Sequence, residues 1–535
     1  MNNAEYIADG KAVIGIEFGS TRIKAVLIGA EFSPLASGVY DWSNSLVDGV
    51  WTYSLDEVKA GLQGCFADLQ KNVREQYGVQ LKRAAAMGIS AMMHGYLAFD
   101  ADDSLLVPFR TWRNTMTEEA ADKLTEAFSF NIPQRWSIAH LYQAILNNEP
   151  HIAEVAHLNT LAGYVHFLLT GERVLGVGDA SGMFPIGADG KCYDQKMLYV
   201  FSKLTENTAF TKDLSEVLPA ISAVGETAGR LTEAGAKFLD PSGVFEAGVP
   251  FCPPEGDAQT GMAATNSIMP CTGNVSAGTS IFAMTVLEHG LSDVYREIDI
   301  VTTPCGNPVA MVHCNNCTTD LDAWVKMFEG LLHSLGLEVP KSKLYDTLYT
   351  LAVSGDADCG GVLSYNYYSG EHVTGLSGGM PLLMRTPTAD FTIKNLMRSL
   401  VYSCMATLKI GMDILTKQEH IKLTQIYAHG GLFKSPIASQ RFLSAALGVD
   451  VTLMQSAGEG GAWGIALLAA YMLRDDHAES LSAYLNTKVF ADMNGSRVSP
   501  MQSDMDGLDA YMDAYQDGLA VERAAVCQNQ RKNGD

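Results

Sequence analysis

Two acidic residues stand beside glycine-containing turns, where a carboxylate could take part in a reaction. Glu17 precedes Phe18-Gly19 at the end of a β-branched apolar run, and Asp257 ends the stretch Pro254-Glu255-Gly256-Asp257. A carboxylate can accept the proton of a hydroxyl group or bind Mg2+, and phosphoryl transfer to an alcohol uses both functions. A helix-capping turn residue is the simpler interpretation of Asp257, and composition alone favours it.

Three turns rich in glycine, serine and threonine could hold phosphate groups. Two of them, Gly19-Ser20-Thr21 and Gly278-Thr279-Ser280, separate pairs of apolar runs in the manner of a β-hairpin tip. The third, Gly430-Gly431, lies between a short strand pattern and a helix pattern. Backbone N–H groups and hydroxyls of such turns bind phosphate oxygens, although a single one is usually an ordinary turn. Together they predict a nucleotide site, with two turns for the phosphates and one for the adenosine.

The segments that must position these residues alternate between strand and helix patterns. Hairpin patterns cover residues 12–28 and begin again at 272, about half a chain later, which suggests two related halves. Buried-strand patterns occupy residues 84–90 and 425–428, and helical spacing of apolar residues occurs at 55–77, 117–128, 138–146, 161–169, 393–415 and 436–447. The acidic stretch at 100–104 is predicted to be a plain turn. This order of elements predicts an α/β protein.

Composition excludes several classes of protein. The chain has 535 residues, of which 47% are hydrophobic, so it is long enough for two large domains and too apolar to be disordered. Its 60 acidic and 37 basic residues give a net charge of −23, which repels nucleic acid and anionic membrane surfaces. Neither a signal sequence nor a membrane-spanning run is recognisable, so we expect a cytoplasmic protein without a membrane partner.

Several familiar motifs are missing from the sequence. It contains no GxxxxGK[ST] phosphate loop, no GxSxG nucleophile elbow and no HExxH zinc helix, and the run at 457–461 does not complete a GxGxxG motif. Ten scattered cysteines favour reduced thiols over a disulfide framework. Cys314 and Cys317 have CxxC spacing, but a structural zinc site usually needs a second such pair, so a metal or redox role is not expected.

The turns and acidic residues fall into segments that resemble the FGGY family of carbohydrate kinases, and most closely its pentulose kinases such as xylulokinase. The segments follow in family order: IGIEFGSTRIKAVLI, MGISAMMHGYLAFDADDSLLVPFRTWRN, LTGERVLGVGDASG, EGDAQTG, GNVSAGTS, and YAHGGLFKSPIASQRFLSAALGVDV with AGEGGAWGIALLAA. So many matches in one order do not arise readily by chance. The resemblance implies two actin-like, ribonuclease-H-like domains with a central cleft, at residues 1–254 and 255–535.

The resemblance also implies a reaction and the residues that carry it. A sugar hydroxyl would attack the γ-phosphate of Mg-ATP, with Asp257 as the general base and Glu17 at the Mg2+ ion. The sugar site and the first phosphate turn would belong to the N-terminal domain, and the base, the second phosphate turn and the adenosine turn to the C-terminal domain. Sugar-site positions of the family fall on Met93, His94, Trp112, Asn114 and Asp257. A histidine can bind a hydroxyl group, and a tryptophan offers a flat face to the C–H edge of a sugar.

The chain departs from the family pattern at four positions. Glu17 and Asn114 stand where the family usually has aspartate, Met116 where it has arginine, and Ala258 where a polar residue is frequent. We expect a ketopentose substrate such as xylulose or ribulose, with a preference altered by these changes. The alternatives are another sugar or polyol (a deoxyhexulose, gluconate or glycerol), a sugar-binding pseudokinase, and a polymerising or chaperone-type ATPase. The number of subunits stays open, with a homodimer as the candidate assembly.

Overall fold

The computed structural model describes residues 2–454, 460–491, 493 and 495–533. The chain divides into two compact units, each built from three stretches of sequence. The first unit comprises Met1–Ile268, Asp299–Val309 and Glu459–Asp492, and the second comprises Met269–Ile298, Ala310–Gly458 and Met493–Asp535. Within the described part of the chain, no helix is both long enough and apolar enough to cross a bilayer.

A five-stranded sheet forms the centre of the first unit. Its strands lie in the order Glu255–Gly256, Ala86–Ala91, Val13–Phe18, Arg22–Ile28 and Pro34–Asp41. The first three strands are parallel to one another. Arg22–Ile28 pairs antiparallel with Val13–Phe18 because the chain turns back at residues 19–21, and Pro34–Asp41 then pairs antiparallel with Arg22–Ile28. The β-branched residues of Val13–Phe18 favour this extended conformation, and almost the whole strand is buried.

Helix Gly460–Met472 packs directly on this sheet. A Cβ atom at Gly15 would overlap the carbonyl oxygen of Ala462, and one at Gly88 would overlap the side chain of Ile465. Glycine is therefore needed in two neighbouring strands, where the helix backbone comes closest to the sheet. The helix is apolar around most of its circumference, which agrees with its nearly complete burial.

The first unit contains further helices and short strands. Its other α-helices are Asn3–Ala8, Leu55–Tyr77, Glu118–Phe128, Ser137–Leu146, Leu161–Thr170, Val177–Ala180, Gln195–Leu204, Leu214–Val217, Glu233–Leu239, Asp257–Ala264 and Leu481–Tyr484. Its other strands are Ser45–Val47, Val50–Thr52, Leu97–Phe99, His157–Asn159, Val174–Gly176, Ala220–Ser222 and most of Ile298–Thr302.

Helix Leu55–Tyr77 illustrates how local sequence defines an element that supports the sheet. At its start the Ser54 hydroxyl accepts a hydrogen bond from the Glu57 N–H, and at its end Gly78 adopts a left-handed φ of 70°. Its buried residues recur every three or four positions, at Val58, Leu62, Phe66, Leu69 and Val73. These side chains join the apolar core of the first unit. The predicted helix is confirmed at both ends.

The second unit is built around a larger mixed sheet. Its neighbouring strands include, in order, Pro308–Cys314, Ile281–Val286, Thr272–Ala277, Gln425–His429, Asp450–Met454 and Gly495–Val498. The predicted second hairpin is present as the antiparallel pair Thr272–Ala277 and Ile281–Val286, and the first of these strands also pairs in parallel with Gln425–His429. The unit's other strands and its α-helices are Val362–Tyr365, Leu382–Arg385, Thr318–Ser334, Lys341–Val353, Ile393–Asp413, Pro436–Leu447 and Gln502–Asn533.

The structure confirms the predicted α/β class and most predicted element positions. The helices predicted at 117–128, 138–146, 161–169 and 393–415 are present with small shifts at their ends. The acidic stretch at 100–104 is a plain turn, in which the Asp100 carboxylate accepts hydrogen bonds from the N–H groups of Asp102 and Ser104, both at 2.9 Å. The predicted run at 457–461 lies mostly outside the described residues, which resume at Gly460.

The division between the two units differs from the predicted one after residue 254. Residues 255–268 stay in the first unit, because strand Glu255–Gly256 pairs in parallel with Ala86–Ala91. Two later stretches return to the same unit, and one of them carries the helix that packs against Gly15. These pairings join residues far apart in sequence, so no local composition change marks the boundary.

Candidate active site

Asp257 lies where the edge strand of the first unit's sheet gives way to a helix. It is the first residue of helix Asp257–Ala264, and its carboxylate accepts a hydrogen bond from the Met93 N–H at 3.2 Å. Burial raises the pKa of Asp257 to about 6, against the opposing effect of the N–H groups of Met93 and Ala258. The residue is nevertheless only half-buried. Asp257 is therefore a charged base at neutral pH with part of its surface accessible to another molecule.

Glu17 is a second carboxylate close to Asp257 in the same unit. Its side chain accepts a hydrogen bond from the Ala462 N–H at 3.1 Å. Burial first, and the negative charge of Asp257 second, raise the pKa of Glu17 to about 7. A Cβ atom at Gly461 would overlap a carboxylate oxygen of Glu17. The glycine therefore makes room for a side chain one methylene longer than aspartate.

Glu17 fits a Mg2+ ion that is held in part by water and phosphate. Its carboxylate offers oxygen ligands, and the repulsion between Glu17 and the nearby Asp257 carboxylate would be relieved by a cation. Mg2+ in phosphoryl-transfer sites commonly takes one or two carboxylates and completes its shell with water and phosphate oxygens. Among the described residues, no group of three or more His, Cys, Asp or Glu could hold a metal by itself.

The predicted first phosphate turn, Gly19-Ser20-Thr21, follows directly after the strand Val13–Phe18 that carries Glu17. The Gly19 N–H donates to the Arg22 carbonyl at 3.0 Å, which closes the hairpin tip, and Ser20 and Thr21 are exposed. The carbonyl oxygens of Gly19 and Ser20 accept hydrogen bonds from the Trp42 indole and the Tyr53 hydroxyl, both at 2.7 Å. The turn is thus held from one side, while Ser20 and Thr21 stay exposed.

His94 and Gly95 form a strained bend next to Asp257. His94 has a left-handed φ of 70°, and Gly95 follows with a φ of 92°. The His94 Nδ1–H donates to the Gly182 carbonyl at 3.2 Å, so Nε2 is the acceptor nitrogen of the neutral ring. Burial first, and the nearby charge of Arg135 second, hold the pKa of His94 well below its usual value. A neutral imidazole with a free acceptor suits a hydroxyl-bearing ligand.

In the second unit, the predicted second phosphate turn (Gly278-Thr279-Ser280) and the predicted adenosine turn (Gly430-Gly431) lie against each other. Gly430 has a φ of 106°, and a Cβ atom there would overlap the Ala277 carbonyl oxygen just before the hairpin tip. The tip is braced by helix Thr318–Ser334, because the Thr318 N–H donates to the Gly278 carbonyl at 3.1 Å. A cavity of about 500 Å³ adjoins this helix and is lined by residues that include Thr319, Lys326, Lys341 and Tyr368. The second unit thus brings the two glycine-containing turns into contact with each other.

The sequence matches one protein family over most of its length. Residues 12–263 match the N-terminal domain of the FGGY family of carbohydrate kinases, and residues 273–473 match the C-terminal domain of the same family. The chain belongs to the FGGY family of carbohydrate kinases. It is accordingly an ATP-dependent sugar kinase, and the predicted resemblance is confirmed.

Relatives of this kinase act on more than one substrate. A xylulose kinase of Haemophilus influenzae is 23% identical over 406 residues, which cover 70% of this chain and 76% of that protein. A ligand-bound xylulose kinase from Lactobacillus acidophilus has a TM-score of 0.78 at 17% identity, covering 96% of this chain and 99% of its own. A gluconate kinase from the same organism has a TM-score of 0.76 at 16% identity, covering 97% and 99%. A glycerol kinase from Plasmodium falciparum with ADP has a TM-score of 0.74 at 15% identity, covering 96% and 98%. The solved structures share the fold of this kinase.

The sugar-site prediction for this kinase meets a complication at Asn114. Trp112 is 40% exposed, and Met116 is also exposed. Asn114, in contrast, is buried: its amide oxygen accepts from the Trp51 N–H at 2.9 Å, and its NH2 group donates to the Trp51 carbonyl at 2.9 Å. The Asn114 amide is already hydrogen-bonded to the backbone of Trp51. Asn114 therefore supports the loop that contains Trp112 (residues 111–114).

A second pair of carboxylates, Asp179 and Glu255, was not singled out from the sequence. The Glu255 carboxylate accepts from the Asp179 N–H at 2.9 Å, and Asp179 accepts from the Thr160 hydroxyl at 2.6 Å. Burial first, and the charge of Asp179 second, raise the pKa of Glu255 to about 8, and burial raises that of Asp179 to about 7. Asp179 lies in the segment LTGERVLGVGDASG and Glu255 in the segment EGDAQTG, both of which resemble the family. The sequence signal that could have identified them is an acidic residue among apolar neighbours. They tie the strand Glu255–Gly256, which directly precedes Asp257, to a neighbouring segment.

The cysteine pair of this kinase lies in the interior of the second unit. Cys314 and Cys317 are buried, and burial raises the pKa of both thiols well above the usual value. Protonated thiols in such surroundings are poor nucleophiles and poor metal ligands. The Cys317 N–H donates to the Thr279 carbonyl at 3.0 Å, so this residue supports the second phosphate turn through its backbone.

Proposed function

We propose that this kinase transfers the γ-phosphate of Mg-ATP to a hydroxyl group of a ketopentose such as xylulose or ribulose, with Asp257 as the general base. The observation that carries the proposal is the half-buried Asp257 carboxyl beside Met93 and His94, whose pKa is raised to about 6 by burial. Such a group is ionised at neutral pH and still basic enough to take a hydroxyl proton. The similarity to a xylulose kinase supports a ketopentose as the acceptor.

The sugar would be bound by groups of the first unit. The acceptor nitrogen of the neutral His94 ring would bind a sugar hydroxyl, and the exposed face of Trp112 would cover the C–H edge of the ring or chain. The backbone of Met93 would keep Asp257 in place beside them. Asn114 would act on the sugar through the position of Trp112, since its amide is bonded to Trp51.

Each unit by itself has glycine-containing turns that would bind groups of a nucleotide. The N–H groups of Gly19-Ser20-Thr21 and of Gly278-Thr279-Ser280 would hold phosphate oxygens, and Gly430-Gly431 would face the adenosine. Mg2+ would be held by Glu17, with Asp257 close by, and when bound it neutralises phosphate charge. Asp257 itself accepts the proton that the attacking hydroxyl releases.

Another acceptor of the same chemistry is the main alternative. The structural neighbours include a gluconate kinase and a glycerol kinase, and the family carboxylate and arginine are replaced here by Asn114 and Met116. Gluconate, a deoxyhexulose and a polyol are therefore also tested as phosphate acceptors. A sugar-binding pseudokinase is disfavoured because a protein without turnover has no chemical need for Asp257. A polymerising or chaperone-type ATPase would lack the sugar segment that contains His94.

A coupled ADP-release assay decides between these functions. The intact protein is incubated with Mg-ATP and a panel of ketopentoses, hexuloses, aldonates and polyols, and initial rates are compared. Fast ADP release with xylulose or ribulose supports the proposal, and a preference for another member of the panel replaces the ketopentose by that acceptor. ADP release that no acceptor increases would identify an ATPase, and nucleotide and sugar binding without turnover would identify a pseudokinase.

We also propose a location and an assembly for the reaction. The ten cysteines are free, which suits the reducing cytoplasm, where ATP is available. A homodimer is the proposed assembly, and light scattering during size-exclusion chromatography would measure the mass directly.

A further inference from the structure

A short aromatic segment of the first unit touches two parts of the proposed site. We call residues 42–53 the aromatic strap. It begins at Trp42, forms a small hairpin from Ser45–Val47 and Val50–Thr52, and ends at Tyr53 just before helix Leu55–Tyr77. The hairpin turns at Asp48 and Gly49, whose φ values of 49° and 79° are those of a tight turn of the type that joins β-strands.

One side of the aromatic strap holds the first phosphate turn. The Trp42 indole N–H donates to the Gly19 carbonyl and the Tyr53 hydroxyl donates to the Ser20 carbonyl, both at 2.7 Å. The two rings are stacked with centroids 4.2 Å apart, and both residues are buried. A carbonyl and the following N–H point in opposite directions across a trans peptide. Holding the carbonyls of residues 19 and 20 therefore aims the N–H groups of Ser20 and Thr21 away from the strap.

The other side of the aromatic strap holds the loop that carries Trp112, residues 111–114. Both backbone groups of Trp51 form hydrogen bonds with this loop: its N–H donates to the Asn114 side chain, and its carbonyl accepts from the side chains of Asn114 and Thr111. The Arg113 guanidinium lies 3.9 Å from the centre of the Trp51 ring and donates to the Asn44 side chain at 3.1 Å. Trp51 and Tyr53 are two positions apart on one short segment.

We propose that the aromatic strap couples the Trp112 loop to the first phosphate turn, with Tyr53 as a positioning residue for phosphoryl transfer. This inference rests on the proposed function, since it takes residues 111–114 as part of the sugar site and 19–21 as part of the phosphate site. A sugar that orders the Trp112 loop also orders the Trp51 peptide, and through Tyr53 it fixes the Ser20 carbonyl. The amide donors for phosphate are then correctly aimed when the acceptor is present, which favours transfer to sugar over loss of phosphate to water.

Steady-state kinetics of Tyr53→Phe test the coupling, because only the hydroxyl group is removed. The matched control is Tyr77→Phe, since the Tyr77 hydroxyl also donates to a backbone carbonyl of the first unit, that of Leu35 at 2.9 Å, but touches neither the strap nor the turn. A lost hydrogen bond of this kind corresponds to about a 3- to 10-fold effect. We expect kcat of Tyr53→Phe with xylulose to fall by about that factor, with KM for xylulose within twofold of wild type and kcat of Tyr77→Phe unchanged.

Hydrogen exchange separates positioning from a merely structural role. In the wild type, xylulose should slow amide exchange in the peptide covering residues 13–28 as well as in the one covering 111–116. In Tyr53→Phe the protection at 111–116 should persist while that at 13–28 is lost, and Tyr77→Phe should behave like wild type. If the Tyr53→Phe protein unfolds, Trp42→Phe removes the hydrogen bond to the Gly19 carbonyl, keeps an aromatic ring, and carries the same expectations.

The outcomes distinguish this inference from the function on which it rests. A wild-type protein that transfers phosphate to no member of the sugar panel overturns the proposed function, and the coupling with it. A wild type that is active, together with Tyr53→Phe and Tyr77→Phe variants that match each other in kcat and in exchange at 13–28, overturns the coupling alone. Selective loss of kcat and of sugar-dependent protection in Tyr53→Phe supports both.

Discussion

Replacing Asp257 by asparagine tests both the general base and its electrostatic surroundings. An amide cannot take up the hydroxyl proton, so we expect kcat to fall by about 10²- to 10⁴-fold. Nucleotide affinity should stay nearly unchanged, because the phosphate and adenosine turns are not altered. The asparagine oxygen can still accept the hydrogen bond from Met93 that Asp257 accepts at 3.2 Å, so the local geometry should be kept.

The same substitution should make the protein more stable at high pH. Burial raises the pKa of Asp257 from 3.8 to about 6 in the folded protein. The folded state therefore binds the proton more tightly than the unfolded chain, and stability is lost as the pH rises from about 4 through 6. Two pKa units correspond to about 3 kcal/mol, which we reduce to about 1–2 kcal/mol because the residue is only half-buried. Asparagine stays neutral and avoids this loss.

Thermal unfolding without nucleotide, in the presence of EDTA, measures the expected difference. The midpoint of Asp257→Asn should exceed that of the wild type by about 2 °C at pH 8, and the gap should close towards pH 4. Asp240→Asn is the matched control: burial opposes ionisation of Asp240, but hydrogen bonds from Ser242, Gln70 and Phe245 outweigh it and lower its pKa. That variant should lose stability at pH 8 and keep kcat.

Two results would refute the reasoning on Asp257. If Asp257→Asn retained most of the wild-type kcat, the carboxylate would not be the proton acceptor, however well placed it is. If the gain in midpoint were the same at every pH, the buried charge would not be its cause, and the pKa argument would fail even if the base assignment stood.

Three further substitutions test the groups around Asp257. Glu17→Gln should raise the Mg2+ concentration for half-maximal velocity by about tenfold with little effect on KM for sugar, and an unchanged Mg2+ titration would contradict a metal role. Trp112→Ala should raise KM for sugar by about 5- to 10-fold with kcat within twofold, which initial rates over a sugar series would show. Burial, then the charge of Asp179, raises the pKa of Glu255 to about 8, so its ionisation lowers stability as pH rises from about 4.5 through 8. Glu255→Gln should therefore flatten the fall in unfolding midpoint between pH 6 and 9, and parallel curves for the two proteins would count against this account.

Features set by neighbouring residues were predictable from the sequence. The helix at 55–77 has a capping serine before it and a glycine after it, and both hairpins have glycine-containing tips between β-branched runs. Each of these signals acts within a few residues, so pattern and capping rules suffice. The identity of the acidic candidates followed from their place beside such turns, together with the family resemblance.

Features set by distant residues were not predictable. The space for the Glu17 side chain depends on Gly461, more than 400 positions later, and the edge strand before Asp257 finds its partner at Ala86–Ala91. The hydrogen bonds between Asn114 and Trp51 were not predictable either, because the sequence around neither residue indicates that the two are in contact. A side chain that a family resemblance assigns to ligand binding can therefore form hydrogen bonds to the backbone instead. Only the folded structure shows these backbone hydrogen bonds.

The surroundings of Asp257 show why a base of this strength results. Burial is opposed by backbone N–H groups of Met93 and Ala258, which stabilise the charge only in part, and the balance leaves the pKa near 6. Ala258 supplies a backbone N–H but no polar side chain, so its side chain does not further stabilise the negative charge of Asp257. An ion pair with lysine or arginine would draw the pKa below its ordinary value and make the carboxylate a weaker proton acceptor. Partial burial with neutral donors therefore keeps Asp257 charged at pH 7 while leaving it more basic than an exposed aspartate.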